Sequence, residues 1–170
     1  SLYTASASLC RDLSKRIRKE LRVPLVAGGP HATLNAERVL RWGSVDVVIR
    51  GEAEKVLPEI VSRSASYKKA VVEGVPVDVN EIPPADFSAF YRNERLRVYP
   101  LLTSRGCPFN CSFCAVKEIA SRKWRPRSLD SVFAELDAAL QRFPSLKRIE
   151  VHDDCPTLDR ERFKQFLRGL

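Results

Sequence analysis

The chain has 170 residues, of which 44% are hydrophobic, and 29 Lys and Arg residues against 21 Asp and Glu residues give it a net charge of +8. The ordinary apolar fraction excludes an intrinsically disordered chain. The sequence has no apolar run long enough for a transmembrane helix or for the core of a secretion signal, so neither is predicted. The positive charge, densest between Arg92 and Arg127, suits an anionic partner and equally suits a solvated surface, because charge alone is not a motif. The sequence begins at Ser1 and contains no Met, which predicts a processed chain or a part of a longer protein.

The first 64 residues predict alternating helices and strands. In chain order the pattern indicates a helix over 5–21, a strand over 23–27, a helix over 35–42, a strand over 45–49 and a helix over 53–64. Asn35 is expected to cap the second helix and Gly43 to end it. Short apolar strands between helices predict parallel βα units that are covered on both faces.

Residues 70–96 change character, and their Pro and Gly residues predict an extended connection without a core element. The alternating pattern then restarts. It predicts a strand over 98–103, a loop over 106–110, partial helix over 111–122, a helix over 128–143 capped by Ser128, a strand over 148–151 and a final helix capped by Thr157. Each half shows two strands, fewer than the roughly four to six of an ordinary sheet, which predicts that both halves are parts of larger folds.

The five cysteines are the most informative residues of the sequence. Their odd number and the lack of a secretion signal argue against a disulfide scaffold. Cys107, Cys111 and Cys114 lie within eight residues, on a predicted Gly, Pro and Asn loop that follows a strand. Three thiolates so close can hold one inorganic centre. Structural zinc sites and electron-transfer iron–sulfur clusters usually take four protein ligands, whereas three thiolates leave one iron of a 4Fe–4S cluster open to substrate.

Two other interpretations of these cysteines stay open. The three positions also match one face of a buried helix, in which the thiols would be small core side chains, although Gly106, Pro108 and Asn110 disfavour a helix there. A zinc site or an electron-carrier cluster would instead recruit a fourth ligand, for which His152 and Cys155 are the candidates.

The segment CPFNCSFC resembles the CxxxCxφC motif of radical S-adenosylmethionine (SAM) enzymes, in which φ is aromatic, here Phe113. The resemblance covers residues 97–170 and places the motif after the first strand of a partial (βα) barrel. It implies that Cys107, Cys111 and Cys114 hold a 4Fe–4S cluster, that SAM chelates the fourth iron, and that Phe113 lies near the adenine. It also implies reductive cleavage of SAM to methionine and a 5′-deoxyadenosyl radical, which abstracts hydrogen from a substrate.

Two further segments resemble the same family. Arg125-Pro-Arg127-Ser128 is similar to an Arg-x-Arg-Ser element, which implies that Arg127 contacts the SAM carboxylate or packs near the cluster; a solvated loop arginine is the alternative. The segment IEVHDDCPTLDRERF resembles the second-strand signature of the cobalamin-dependent branch. Strand-end carboxylates face the active site in such barrels, so Asp153 or Asp154 is implied to bind the SAM amino group, with helix capping as the alternative.

Residues 23–61 resemble the later half of a cobalamin-binding domain, in which a Gly-Gly pair, here Gly28 and Gly29, lets the backbone approach the nucleotide tail of the corrin. A tight turn is the simpler explanation of such a pair. The family's Asp-x-His-x-x-Gly signature for the cobalt ligand is absent, and His31 is not that residue. This absence predicts that the chain carries only the later part of the corrin-binding domain.

These features predict an α/β chain made of the C-terminal part of a cobalamin-binding Rossmann-like domain (1–70), a Pro-rich linker (71–96) and the N-terminal part of a radical SAM barrel (97–170). We expect the parent enzyme to cleave SAM reductively and to carry out cobalamin-assisted methyl transfer or a radical rearrangement. The expected cofactors are a 4Fe–4S cluster, SAM and cobalamin, and the expected partner is a reductant such as flavodoxin or ferredoxin, in the cytoplasm, with neither membrane nor nucleic acid. A basic α/β module that binds nucleic acid, a zinc-stapled domain and an iron–sulfur electron carrier are the alternatives.

Overall fold

A computed structural model of the chain describes residues 1–63, 69–87 and 93–170. The helices in these ranges are α1 Ala7–Leu21, α2 Pro30–Leu34, α3 Ala36–Leu40, α4 Leu57–Ser62, α5 Val116–Ile119, α6 Leu129–Arg142 and α7 Arg160–Gly169. The strands are β1 Val26–Ala27, β2 Val47–Arg50, β3 Ala70–Glu73, β4 Val98–Leu101, β5 Ser104–Arg105, β6 Arg125–Pro126 and β7 Arg148–Val151. The chain therefore has the mixed α/β fold that the sequence predicts.

The chain divides into two compact units. One unit comprises Ser1–Val77 and Cys111–Ser121, and the other comprises Asp78–Asn110 and Arg122–Leu170. Across the described ranges, none of the helices combines the length and apolar character needed to cross a bilayer.

The first unit is built on a parallel sheet with the order β1-β2-β3. Strand β2 lies in the middle, and successive side chains of a strand point to opposite faces. Val48 accordingly packs with Ala32 and Val39 on one face, while Val47 and Ile49 belong to a separate core with Ile60. Burial on both faces explains the apolar run of Val47, Val48 and Ile49 that precedes Arg50 in this strand.

Three local predictions for the first unit need correction. Residues 70–73 form strand β3, so the expectation that the stretch 70–96 carries no core element is wrong at its start. The predicted helix over 35–42 is preceded by the separate helix α2, and the side chain of Asn35 donates to His31 O at 3.3 Å instead of capping α3. Ser64, the predicted end of the third helix, and Arg92 lie outside the described residues.

Helix α1 confirms the predicted helix near the N-terminus. None of its residues is buried, and Leu9, Leu13 and Leu21 are all more than half exposed. Arg18 pairs with Asp46 and donates to Ser44 O at 3.2 Å, so the polar side chains attach the helix to the strand region.

The second unit contains the parallel pair of β4 and β7, in which Val98 lies opposite Arg148 and Leu101 opposite Val151. Helix α6 covers this pair. The hydrophobic core of the second unit consists of Tyr99, Leu101, Val132, Leu136, Ala139, Phe143 and Phe166. Ser128 caps α6 as predicted, since its Oγ accepts from Ser131 N at 3.2 Å. Helix α7, in contrast, is capped by Asp159 and not by Thr157, because the Asp159 carboxylate accepts from Arg162 N at 2.9 Å.

A short antiparallel ribbon of β5 and β6 was not expected from the sequence. It pairs Ser104 with Pro126 and Arg105 with Arg125. Two-residue strands carry almost no periodicity, which is why pattern analysis misses them. The ribbon fixes the chain just before Cys107 against the segment that contains Arg127.

Candidate cofactor site

The predicted ligand cysteines lie on an irregular loop between β5 and α5. Gly106 has a φ of 83°, a left-handed conformation that favours glycine, and within the cysteine segment Cys114 N donates to Cys111 O at 3.1 Å. All three thiols are free; Cys111 is exposed, and Cys107 and Cys114 are half-buried. The interpretation of these positions as a buried helical stripe is therefore wrong.

Among the residues that the structure describes, no three His, Cys, Asp or Glu side chains are gathered to hold a metal ion. The chemistry of the donor set nevertheless fits a 4Fe–4S cluster, because three thiols that form no disulfide lie close together in sequence on a non-helical loop, and thiolates are the ligands of such a cluster. The cluster assignment of Cys107, Cys111 and Cys114 stays a prediction at this point.

Cys155, a predicted alternative ligand, lies beside Cys107. Burial raises the pKa of the Cys155 thiol, and the neighbouring Cys107 and Asp154 raise this pKa further. Asp154 explains the proximity, because its Oδ2 accepts from Gly106 N at 2.9 Å and so holds the end of β7 against the start of the cysteine loop. The structure thus brings one predicted ligand and one alternative ligand together.

Asp153 binds the same segment more extensively. Its Oδ1 accepts from Thr103 N at 2.6 Å, and its Oδ2 accepts from Thr103 Oγ1 at 2.7 Å and from Ser104 Oγ at 2.6 Å. Neither aspartate caps α7, so the capping alternative is wrong. The prediction that these carboxylates bind the SAM amino group is not tested by these contacts, although they show that Asp153 already has three donors.

Arg127 points into the second unit. Its Nη1 lies 2.6 Å from Glu135 Oε2, and the two side chains are exposed by only 10% and 6%. The guanidinium also donates to Leu102 O at 3.0 Å and to Ser131 Oγ at 3.0 Å. These bonds exclude a solvated loop arginine and favour the packing role over direct contact with the SAM carboxylate.

Arg162 is a residue that the sequence analysis did not single out. Its guanidinium donates to Thr103 Oγ1 at 3.3 Å, to Thr103 O at 3.0 Å and to Arg127 O at 2.8 Å. Burial lowers the pKa of Arg162, and the carboxylate of Asp153 opposes this shift. No sequence signal identifies it, because its partners lie 35 and 59 positions away in the chain.

Phe113, the predicted neighbour of the SAM adenine, is 91% exposed in the first unit. Phe109, on the same loop but in the other unit, is also exposed. Large exposed aromatic side chains next to ligand-type cysteines can stack on a planar group.

The two glycines of the Gly-Gly pair differ in how much space surrounds their Cα atoms. Gly29 has a φ of 100°, and a Cβ there would meet the Ser1 side chain and would lie 2.7 Å from Leu2 N. A Cβ on Gly28 would make only ordinary van der Waals contact, with the side chain and carbonyl oxygen of Ile49 at 4.0 Å. His31 is buried, and its Nδ1 lies 3.0 Å from Thr4 Oγ1, a contact that holds α2 against the N-terminal segment.

Comparison with known families divides the chain in the order that the motifs suggest. Residues 1–61 match the B12 binding domain, and residues 101–168 match the radical SAM superfamily. The second match contains all three loop cysteines, Arg127 and both aspartates.

Individual relatives agree with the two matches. The chain is 31% identical to an uncharacterized methyltransferase of Pyrococcus horikoshii over 88% of its own length, and 28% identical to the bacteriochlorophyllide d C-12(1)-methyltransferase of Chlorobaculum tepidum over 98%. It spans 37% and 38% of the lengths of these relatives. Its fold is similar to that of the radical SAM methyltransferase TsrM of Kitasatospora setae, solved with cobalamin and a [4Fe-4S] cluster, with a TM-score of 0.71 and 18% identity over 96% of this chain and 36% of that one.

Proposed function

Because the chain belongs to the radical SAM proteins that carry a B12-binding domain, we propose that it is the part of such an enzyme that binds the 4Fe–4S cluster and SAM. The single observation that carries the proposal is the set of free thiols of Cys107, Cys111 and Cys114 on an irregular loop inside the radical SAM match. When bound, the cluster would supply the electron that cleaves SAM. The protein itself would provide the three thiolates and a shielded environment.

The surrounding residues have separate proposed roles. Phe113 is exposed and free to stack on the adenine of SAM. Arg127 anchors the segment after β6 through Glu135, so its effect on SAM would be indirect. Asp153 and Asp154 remain candidates for the SAM amino group, and an alternative role for them is argued below.

The reaction of the whole protein is proposed from its relatives. Both relatives described above are named as methyltransferases, which supports cobalamin-assisted methyl transfer, with a radical rearrangement as the related alternative. The B12-binding match, which contains Gly28 and Gly29, supports a corrin next to the first sheet. A radical SAM enzyme needs an electron donor, and we propose flavodoxin or ferredoxin, acting in a reducing compartment such as the cytoplasm.

The test is anaerobic reconstitution of the 170-residue chain with iron and sulfide, followed by iron analysis, absorbance and electron paramagnetic resonance with and without SAM. We expect about four irons per chain, lost together in each of the Cys107→Ala, Cys111→Ala and Cys114→Ala variants, and a spectral change on adding SAM. Cys10→Ala is the matched control, because Cys10 is also a free, half-buried thiol but lies on α1. One bound zinc and no iron would refute the proposal.

An iron–sulfur electron carrier is the second candidate, favoured by the position of Cys155 beside Cys107. In that case Cys155 would supply the fourth thiolate and no iron would be open to SAM. The carrier predicts that Cys155→Ala loses the cluster and that SAM leaves the spectrum unchanged. The radical SAM proposal predicts that Cys155→Ala keeps the cluster and the response to SAM.

A further inference from the structure

The segment that leads into the cysteine loop is fixed by side chains from two elements that follow it in the chain. Thr103 and Ser104 are buried, and Asp153 at the end of β7 accepts from both of their hydroxyl groups and from Thr103 N. Asp154 accepts from Gly106 N, one residue before Cys107. Two adjacent carboxylates therefore hold three of the four residues that precede the first cysteine.

Arg162 on α7 completes this arrangement. It donates to both the hydroxyl and the carbonyl oxygen of Thr103 and to the carbonyl oxygen of Arg127, and its guanidinium carbon lies 5.9 Å from the centre of the Trp124 ring. Its planar fork bonds to the segment that leads into the cysteine loop and to the segment after β6 at the same time. Hydrogen bonds with a charged partner are stronger than those between neutral groups, and here they lie in a half-buried setting.

We propose that Asp153, Asp154 and Arg162 are positioning residues that hold the start of the cysteine loop, and with it the thiol of Cys107, in place for cluster binding. Cys107 follows Gly106 directly, so the bond from Gly106 N to Asp154 fixes the backbone next to the Cys107 thiol. That this arrangement serves cluster binding rests on the function proposed above. That it holds Cys107 in place does not depend on that function.

Asp153 is better suited to this role than to binding the SAM amino group. Its two oxygens already accept three hydrogen bonds at 2.6–2.7 Å. A carboxylate offers about four acceptor positions, so only one is left for an ammonium group, and a turn of Asp153 towards SAM would break its bonds to buried donors. Leaving such buried groups unpaired is unfavourable, which favours a carboxylate committed to the protein.

The proposal is tested first without the cluster, by measuring the alkylation rate of each cysteine in the apo chain by mass spectrometry. Asp153→Asn and Arg162→Gln should each raise the rate at Cys107 by about fivefold or more, because a lost charged hydrogen bond frees the segment to open locally. Arg162→Lys should also raise it, since an ammonium group cannot reproduce the fork. The rate at Cys10 should stay unchanged.

Matched controls are Asp137→Asn and Arg160→Gln, which remove the same charges from exposed positions on α6 and α7. Both should behave as the unmodified chain does. An unchanged rate at Cys107 in Asp153→Asn and Arg162→Gln would overturn the proposal, and so would an equal increase at all five cysteines, which would indicate general destabilisation.

Reconstitution then separates this proposal from the proposed function. Reduced iron retention and a broadened resonance spectrum in Asp153→Asn and Arg162→Gln would support positioning for the cluster. If the unmodified chain binds no iron but the selective alkylation occurs, Cys107 positioning holds and the proposed function fails. If Asp153→Asn keeps normal alkylation and normal iron but loses the response to SAM, Asp153 is a SAM ligand and the positioning proposal is wrong.

Discussion

At the scale of single residues, the buried carboxylate of Glu135 links a strand residue and a loop residue of the second unit. Glu135 accepts from the Tyr99 hydroxyl at 2.9 Å and pairs with Arg127 at 2.6 Å. A buried charge is tolerated only when it is paired and hydrogen-bonded, and Glu135 meets both conditions. Removing either partner is therefore expected to cost more than the net value of one hydrogen bond.

The phenol of Tyr99 gives this contact a measurable pH dependence. Burial, and then the hydrogen bond to Glu135, raise the pKa of Tyr99 above its ordinary value of 10.0. A raised pKa in the folded state contributes stability that is present below pH 10.0 and is lost as the pH rises above it, because the unfolded chain ionises first. Above this pH, the unfolding free energy of the unmodified chain should fall with pH more steeply than that of Tyr99→Phe. The difference in slope should be about 1.4 kcal/mol per pH unit.

Urea unfolding at a series of pH values between about 8 and 11 checks this expectation. At neutral pH, Tyr99→Phe should be less stable by about 1–3 kcal/mol, since Glu135 loses a donor. Tyr3→Phe, at an exposed tyrosine, is the control and should leave both quantities unchanged. Parallel stability curves for the chain and Tyr99→Phe would contradict the argument.

At the scale of elements, the carboxyl ends of the first sheet depend on close backbone contacts. Gly74 follows β3 and donates its N–H to Arg50 O, at the end of β2, at 2.7 Å. A Cβ on Gly74 would collide with the Glu52 carbonyl group and would lie 2.9 Å from Arg50 O. Glycine is therefore required at this position by the approach of two strand ends.

Gly74→Ala should accordingly lower the unfolding free energy by about 1–3 kcal/mol or more, the usual range for forcing atoms into packed space. Gly28→Ala is the matched control, since Gly28 also follows a parallel strand of this sheet but has no neighbour closer than 4.0 Å to an added Cβ. Thermal or urea unfolding of both variants measures the difference. Equal stability of the two variants would show that the backbone at Gly74 shifts without cost.

At the scale of the whole molecule, each unit has its own hydrophobic core. Val48 is fully buried in the first unit with Ala32 and Val39, and Leu101 is fully buried in the second with Tyr99 and Val132. The cores share no residue. Such an arrangement predicts stabilities that can be perturbed one unit at a time.

Hydrogen exchange followed by mass spectrometry tests this separation. Leu101→Ala should cost about 2–5 kcal/mol and speed exchange mainly in β4, β7 and α6. Val48→Ala should act mainly on β1–β3. Leu102→Ala, beside Leu101 but substantially exposed, is the control and should change little. A uniform increase across both units would indicate one cooperative unit instead.

Local patterns were sufficient to predict several parts of this molecule. The helix α6 with its Ser128 cap and the strand β7 occur where the periodicity places them. The radical SAM and B12-binding matches also agree with the motif of three cysteines and with the order of segments. These features depend on residues that are close together in the chain, so they can be predicted from the sequence without knowledge of the fold.

Tertiary structure alone decided the features that join distant residues. Strand β3 is a core element because it pairs with β2, although Gly74 and Pro76 directly after it indicate a connection. Asp153 meets Thr103 across 50 positions, and Arg162 meets Thr103 across 59. Parallel pairing of β4 with β7 brings these strand ends together, and no local pattern encodes which buried hydroxyl will face which carboxylate.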